Sequence, residues 1–202
     1  MKKTIVYLAF VIMFVFVFTG CEKKENDALN VYREILKSSP AIEGEHEELS
    51  DASFSYEQNN EKFGDHIDEF ALYDINQDGT PELITLSIVN FRWTPISIYT
   101  IIDDKAVLVK DPSYENAHGT FEDCSTANGA YLVYVCEDGH IHNVWRGTNP
   151  IGEEVEENNS YVLVDGRLES TTCDNKENII YFSDITKPNT TKNISALKDL
   201  YE

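Results

Sequence analysis

Basic residues are scarce in this chain of 202 residues, which has 16 Lys and Arg against 36 Asp and Glu and a formal net charge of −20. Because affinity for nucleic-acid phosphates comes from Lys and Arg, this balance argues against DNA or RNA as a partner. The same charge disfavours docking of the folded surface on anionic lipid. Disorder is not expected, because 42% of the residues are hydrophobic and 11% are aromatic, which is enough to build a core.

The sequence also lacks the motifs of common enzyme classes. It has no Gly-rich phosphate loop, no nucleophile elbow and no H-E-x-x-H zinc motif. Acidic pairs between residues 153 and 157 suggest glycosidase carboxylates, but we expect them in a solvated polar loop with no apolar run to raise a pKa. A catalytic pair of a cysteine with His118, His140 or His142 would need a family signature that the flanking residues do not have.

The first twenty residues have the layout of a secretory signal peptide. Lys2 and Lys3 precede an apolar run from Ile5 to Phe18, and this run is shorter than the about 20 residues that a transmembrane helix needs. Because the two lysines stay in the cytoplasm, we expect the chain that follows to be exported. An uncleaved signal anchor is the alternative, and it gives the same location.

Cys21 stands directly after Thr19-Gly20 at the end of the apolar run. A small residue before a cysteine resembles the bacterial lipobox, in which the cysteine is acylated and becomes the new N-terminus, although Phe18 stands where that motif usually has Leu. The lipid on Cys21 would anchor the protein to the cell membrane on its outer side. The predicted division is a signal peptide over 1–20, a lipidated tether over 21–26 and one extracytoplasmic domain over 27–202.

Three cysteines remain once Cys21 is assigned to lipid, namely Cys124, Cys136 and Cys173. Outside the cytoplasm two of them can pair while one stays free. A Cys124–Cys136 bond would close a small loop, and a Cys136–Cys173 bond would join two hairpins. The sequence leaves both pairings open.

Periodicity predicts a mainly β (α+β) fold, an antiparallel meander of hairpins with an N-terminal helix and a short C-terminal helix. Apolar residues recur at helical spacing from Ala28 to Leu36 and stop before Pro40, and a closing helix is expected over Asn193–Tyr201. The turns Asp103-Asp104, Asp138-Gly139 and Asp165-Gly166 separate apolar alternations, and the two Asp-Gly pairs favour hairpins with type I′ turns. The predicted strands are Phe70–Ile75, Glu82–Val89, Pro95–Ile102, Lys105–Lys110, Gly129–Cys136, His140–Arg146, Ser160–Val164, Arg167–Thr172 and Ile179–Phe182.

One stretch, Asp74 to Leu83, has the spacing of a calcium loop. Side-chain oxygens stand at alternate positions 1, 3 and 5, and Gly79 at position 6 permits the sharp turn that brings them together. Positions 7 and 9 supply a carbonyl and a further carboxylate, and calcium takes six to eight oxygens. The predicted ligands of a structural Ca²⁺ are Asp74, Asn76, Asp78, the carbonyl of Thr80, and Glu82.

This loop resembles the D-x-N-x-D-G calcium loops of dockerin-type and FG-GAP-type modules. With its flanks, Phe70-Ala-Leu-Tyr-Asp74 before and Pro81-Glu-Leu-Ile84 after, it is similar to a group of poorly characterised lipoproteins of Gram-positive bacteria. The resemblance implies an extracellular calcium-binding lipoprotein of unknown activity. Thr85 replaces the position-12 Glu of an EF-hand, and strands rather than helices are expected beside the loop. A plain acidic turn, closed by Asp74, is the alternative.

Two histidines, His140 and His142, stand two apart on a predicted strand and would share a face. A zinc site needs three or four ligands, and no third is visible nearby in the sequence. We therefore expect both histidines on the solvent face of a hairpin. Trp145, before a polar loop, is a weak candidate for contact with a carbohydrate or protein ligand.

The sequence as a whole predicts a membrane-anchored extracytoplasmic lipoprotein with a calcium loop, acting without catalysis as a binding or interaction module at the cell surface. The alternatives are a cell-envelope hydrolase, which would need convergent acids or a Cys–His pair in a pocket, and an inhibitor or immunity-type lipoprotein that recognises another exported protein.

Overall fold

The computed structural model describes residues 28–40, 66–88, 93–110, 119–126, 129–149, 151–173 and 178–200. The predicted signal peptide, Cys21 and the tether lie outside these residues. Within them, no helix has the length and apolar character needed to cross a membrane. The helices are α1 (residues 28–38), α2 (Phe182–Ile185) and α3 (Thr191–Ser195). The strands are β1 (Glu69–Tyr73), β2 (Glu82–Leu86), β3 (Trp93–Ile102), β4 (Lys105–Leu108), β5 (Phe121–Thr126), β6 (Gly129–Cys136), β7 (Ile141–Thr148), β8 (Glu154–Val164), β9 (Arg167–Thr171), β10 (Ile179–Tyr181) and β11 (Lys187–Pro188).

The prediction of a mainly β fold with small helices is confirmed. Every strand pair in the described residues is antiparallel, and successive strands pair as a meander from β1 to β4 and from β5 to β9. Strand β5 connects the two series, because it pairs with the first half of β3 and with the start of β6. The last two strands return to earlier ones, β10 to β6 and β11 to β1.

Side-chain alternation divides the apolar residues of β1 and β2 between two cores. Phe70 and Leu72 face the helix-side core, which also contains Leu83 and the buried residues of α1 and α3. Ala71 and Ile84 face the second core, named here the inter-sheet core, which they form with residues of β6 to β9. Successive residues of a strand point to opposite faces, so β1 and β2 lie in a middle layer with apolar partners on both sides. This explains the continuous burial of β2.

Helix α1 is fixed to the sheet by polar contacts as well as by its apolar stripe. The Tyr32 hydroxyl is completely buried and donates to main-chain carbonyls at two places, the oxygen of Pro81 at 3.0 Å and that of Tyr99 at 3.1 Å. Asn189, which precedes α3, donates from Nδ2 to the carbonyls of Leu36 and Ile67. A buried polar group is tolerated when it is hydrogen-bonded. The bond from Tyr32 to Pro81 holds α1 against the end of the predicted calcium loop, and Asn189 joins the other end of α1 to the residues before β1.

The largest departure from the predicted elements is in β8. The acidic residues 153–157 were expected in a polar loop, but from Glu154 onwards they belong to strand β8, which pairs with β7 from Glu154 to Tyr161. That part of β8 has no apolar alternation because it is largely exposed, and it is held by ladder hydrogen bonds and by an ion pair between Arg146 and Glu156 at 2.8 Å. Strand β5 and helix α2 were not predicted, and α3 ends earlier than the closing helix predicted for Asn193–Tyr201.

Candidate functional site

The predicted calcium loop connects β1 and β2, with Tyr73 and Glu82 facing each other as the last pair of the ladder. Strands therefore flank the loop, as expected from the sequence. Ile75 is completely buried in the inter-sheet core and fixes the base of the loop. Gln77 and Gly79 have φ angles of 59° and 85°, so the chain reverses at these two positions. Glycine has no steric penalty in this conformation, which explains Gly79 at position 6.

The side-chain oxygens at positions 1, 3 and 5 accept hydrogen bonds from backbone N–H groups within the loop and so close it. The two Asp74 carboxylate oxygens accept from the backbone N–H of Asp78 at 3.1 Å and of Gly79 at 2.9 Å. Asn76 Oδ1 also accepts from Asp78 N–H, at 3.1 Å, and Asp78 Oδ1 accepts from Thr80 N–H at 2.7 Å. An ionised carboxylate offers about four lone-pair sites, so each oxygen retains capacity for a cation.

Glu82 lies behind this loop with only 1% of its surface exposed. Its Oε2 accepts from the backbone N–H of Ile75 at 2.8 Å, and its Oε1 accepts from the Thr100 hydroxyl at 3.1 Å. Burial raises the pKa of Glu82 to about 7, the two hydrogen bonds oppose this shift, and the charges of Asp78 and Asp74 raise the pKa further. A carboxyl group with a pKa near neutrality responds to small changes in its electrostatic surroundings.

The predicted ligands are thus brought together in part. Asp74, Asn76 and Asp78 share one tight loop, while the Glu82 carboxylate is bonded from inside the protein. The carboxylate oxygens of Asp74, Asp78 and Glu82 are not all within 4.8 Å of one another. No Lys or Arg in the described part of the chain forms an ion pair with any of these three acids. Within the described residues, their negative charge is therefore not compensated by an ion pair with a Lys or Arg side chain.

A second turn, between β6 and β7, packs directly on the loop. Gln77 Nε2 donates to the carbonyl of Glu137 at 2.6 Å. Gly139, with a φ of +84°, lies so close that a Cβ at this position would be 2.5 Å from the carbonyl oxygen of Ile75.

The turn is not the predicted type I′ form, because in the pair Asp138-Gly139 only the glycine has a positive φ. Glu137 is part of the loop as well, and the bonds Gly139 N–H to Cys136 O and Cys136 N–H to His140 O close a three-residue hairpin loop.

This three-residue loop brings together a group of potential metal ligands that the sequence analysis missed. One ligand atom each of Asp138, His140 and Cys173 lies within 4.8 Å of the others, and Asp138 Oδ1 is 3.0 Å from His140 Nδ1. Cys173 follows β9, far from the other two in sequence, so spacing gave no signal for it. Cys136 and Cys173 are not joined by a disulfide, and the Cys124 side chain lies outside what is described.

The expectation that His140 and His142 share a solvent face is wrong. His140 precedes β7, and His142 is completely buried. The His142 ring stacks on Tyr134 with centroids 4.9 Å apart, and its Nδ1 is 3.1 Å from Asn158 Oδ1 and 3.2 Å from Ser160 Oγ. The pattern of alternation did not reveal this because polar neighbours provide the partners that allow a histidine to be buried.

A shallow groove of about 520 Å³ runs between β7 and β8, and charged residues of both strands form part of its lining. Trp145, which precedes Arg146 on β7 and is half-buried, is not among the described residues that line it. Its acids include Glu156, the partner of Arg146. The lining is Arg146, Gly147, Thr148, Glu154, Val155 and Glu156.

Comparison with known proteins gives no match. No protein-family model matches the chain, and neither a curated protein nor a solved structure is significantly similar to it.

Proposed function

We propose that this protein is a lipid-anchored extracytoplasmic module whose Asp74–Glu82 loop binds a structural Ca²⁺ ion, and that it acts as a non-enzymatic binding protein at the cell surface. The observation that supports the ion most is the charge at the base of the loop. Glu82 is buried beside the acids Asp74 and Asp78, and no Lys or Arg of the described ranges forms an ion pair with it. A buried charge is costly unless it is paired or coordinates a metal.

The chemistry of the donors favours calcium among common cations. The proposed ligands Asp74, Asn76, Asp78 and the Thr80 carbonyl all offer oxygens, which Ca²⁺ binds in a variable geometry, whereas Mg²⁺ demands a strict octahedron. Glu82 lies on the inner side of the loop, and its ionisation is expected to respond to the ion because a nearby cation favours the ionised carboxylate. Extracellular calcium modules bind with dissociation constants of about 10⁻⁴–10⁻³ M, and free calcium at ten times that constant would stabilise the fold by roughly 1.4 kcal/mol.

Asp78→Ala tests the calcium proposal. The variant is expected to lose roughly 1.4 kcal/mol more stability in calcium than in chelator. It loses the hydrogen bond from Thr80 N–H in both buffers, but it loses an ion ligand only in calcium. Denaturant unfolding of both proteins in both buffers measures this difference. Asp184→Ala, which removes the same charge from an exposed helix position, should lose the same amount in both buffers. Equal losses of Asp78→Ala with and without calcium would contradict the proposal.

Cys21→Ser tests the membrane anchor. Because acylation needs the cysteine sulfur, the variant should take up no labelled fatty acid and should keep its signal peptide, which is read from its mass on a gel. Cys173→Ser, which removes a thiol from the folded part of the chain, should be labelled and processed normally. Normal labelling of Cys21→Ser would refute the lipobox interpretation.

A further inference from the structure

The group formed by Asp138, His140 and Cys173 combines three different donor atoms at one point of the surface. Asp138 and His140 are positioned by the short β6–β7 hairpin loop, and their closest atoms are 3.0 Å apart. The Asp138 side chain is 40% exposed and that of His140 is 26% exposed, so an ion can reach them from solvent. None of these residues belongs to the calcium loop.

Cys173 is brought to this point by the β-sheet. It follows β9, and its carbonyl accepts a hydrogen bond from Ser160 Oγ of β8 at 3.1 Å. The same Ser160 oxygen is 3.2 Å from His142 Nδ1 on β7. The main chain at Cys173 is therefore tied through buried polar groups to the strand that follows the Asp138–His140 turn, which keeps the thiol beside that turn.

We propose that Asp138, His140 and Cys173 bind a thiophilic transition-metal ion, with Zn²⁺ as the expected occupant. Carboxylate oxygen, imidazole nitrogen and thiolate sulfur are the three ligand types of zinc sites, and tetrahedral bonds of 2.0–2.3 Å place ligand atoms about 3.3–3.8 Å apart. Ligand atoms that are already within 4.8 Å of one another reach this arrangement by small side-chain rotations. Calcium is not expected here, since it binds oxygen ligands.

Three protein ligands leave a fourth position open for water or for a further ligand. Cys136, with 1% of its surface exposed, is next to the group. Burial raises the pKa of its thiol, and the nearby charges of Asp138 and Cys173 raise it further. Cys136 and Cys173 could instead be oxidised to a disulfide, in which each thiol loses a proton and an electron to an external oxidant. That bond would remove the Cys173 thiolate, so it is an opposing outcome of the test.

The first experiment is cobalt substitution in the full chain, purified in detergent with reductant present. One equivalent of Co²⁺ should give intense visible bands of a tetrahedral site together with a sulfur-to-cobalt charge-transfer band in the near ultraviolet. One equivalent of Zn²⁺ should displace the cobalt and abolish both signals. Because the spectrum is recorded on the wild-type chain, a folding defect of a variant cannot affect the result. A spectrum without the sulfur band would overturn the proposal.

Variants then assign the ligands. Cys173→Ser should lose the sulfur band, and both Cys173→Ser and His140→Asn should bind Zn²⁺ at least about tenfold more weakly in competition with a chromophoric chelator. Asp165→Asn, which changes an aspartate of the turn between β8 and β9 that is not a member of the group, should leave spectrum and affinity unchanged. An unchanged sulfur band in Cys173→Ser would refute the assignment. A Cys136–Cys173 disulfide in protein isolated without reductant would refute it as well.

Discussion

Replacing Glu82 by glutamine is expected to stabilise the protein by as much as about 3 kcal/mol at pH 8 in the presence of a calcium chelator. The pKa of Glu82 is raised from 4.5 to about 7 in the folded protein. Below pH 4.5 the Glu82 carboxyl group is protonated in both the folded and the unfolded state, and its contribution to stability is fully present. Between pH 4.5 and 7 the folded state holds more protons than the unfolded state, so the free energy of unfolding decreases as pH rises. Glutamine cannot ionise and does not show this decrease.

The measurement is denaturant unfolding of wild type and Glu82→Gln at intervals from pH 4 to 8, with the difference between the two curves as the readout. Glu69→Gln is the control, because it removes an acid from the other end of the β1–β2 pair and leaves Glu82 intact. In this variant the free energy of unfolding should still decrease as pH rises. Added calcium should reduce the decrease in wild type, since a nearby cation favours the ionised carboxylate. Parallel curves for wild type and Glu82→Gln would contradict the account of this buried acid.

The contact between the β6–β7 turn and the calcium loop gives a second large effect. Gly139→Ala is expected to destabilise the protein by about 3 kcal/mol, of which about 1–2 kcal/mol comes from the left-handed backbone and the rest from the new Cβ. That Cβ would be 2.5 Å from the Ile75 carbonyl oxygen, and a backbone atom cannot move aside as a flexible side chain can. Unfolding in chelator measures the loss.

Gly152→Ala is the matched control for this contact. Gly152 has the same φ of +84°, but nothing lies within 4 Å of an added Cβ. It should therefore show the backbone cost alone, about 1–2 kcal/mol. Gly139→Ala should also weaken calcium binding, because Ile75 must shift and it stands between Asp74 and Asn76. Equal losses of stability in Gly139→Ala and Gly152→Ala would show that the contact between the turn and the calcium loop does not contribute to the effect.

Local signals predicted most of the fold. Strand β6 was predicted with the bounds that the structure gives, and the turn at Asp165-Gly166 has positive φ at both residues, as the predicted type I′ form requires. Asp103-Asp104, predicted only as a turn, also has positive φ at both residues. These features depend on residues that are close together in the chain. The first half of β8 was missed because its side chains are polar and largely exposed, so the sequence shows no apolar alternation there, and the strand is held by its pairing with β7.

The candidate sites follow the same division. The spacing from Asp74 to Glu82 is local, and the sequence suggested its ligands directly. That Glu82 turns inward to Ile75 N–H and the Thr100 hydroxyl depends on β3 and could not be derived from spacing. The Asp138–His140–Cys173 group depends on the return of the chain after β9, so sequence spacing revealed two of its members as neighbours and gave no reason to add the third.

The most direct test of the calcium proposal is a thermal melt of the full chain in detergent with calcium, with magnesium and with chelator. At free calcium ten times the dissociation constant, the expected 1.4 kcal/mol raises the Tm by about 3–6 °C relative to chelator, while magnesium at the same concentration has little effect. A Tm that is the same in calcium and in chelator, or that magnesium raises as much as calcium does, would contradict the proposal and leave the Asp74–Glu82 loop an acidic hairpin turn.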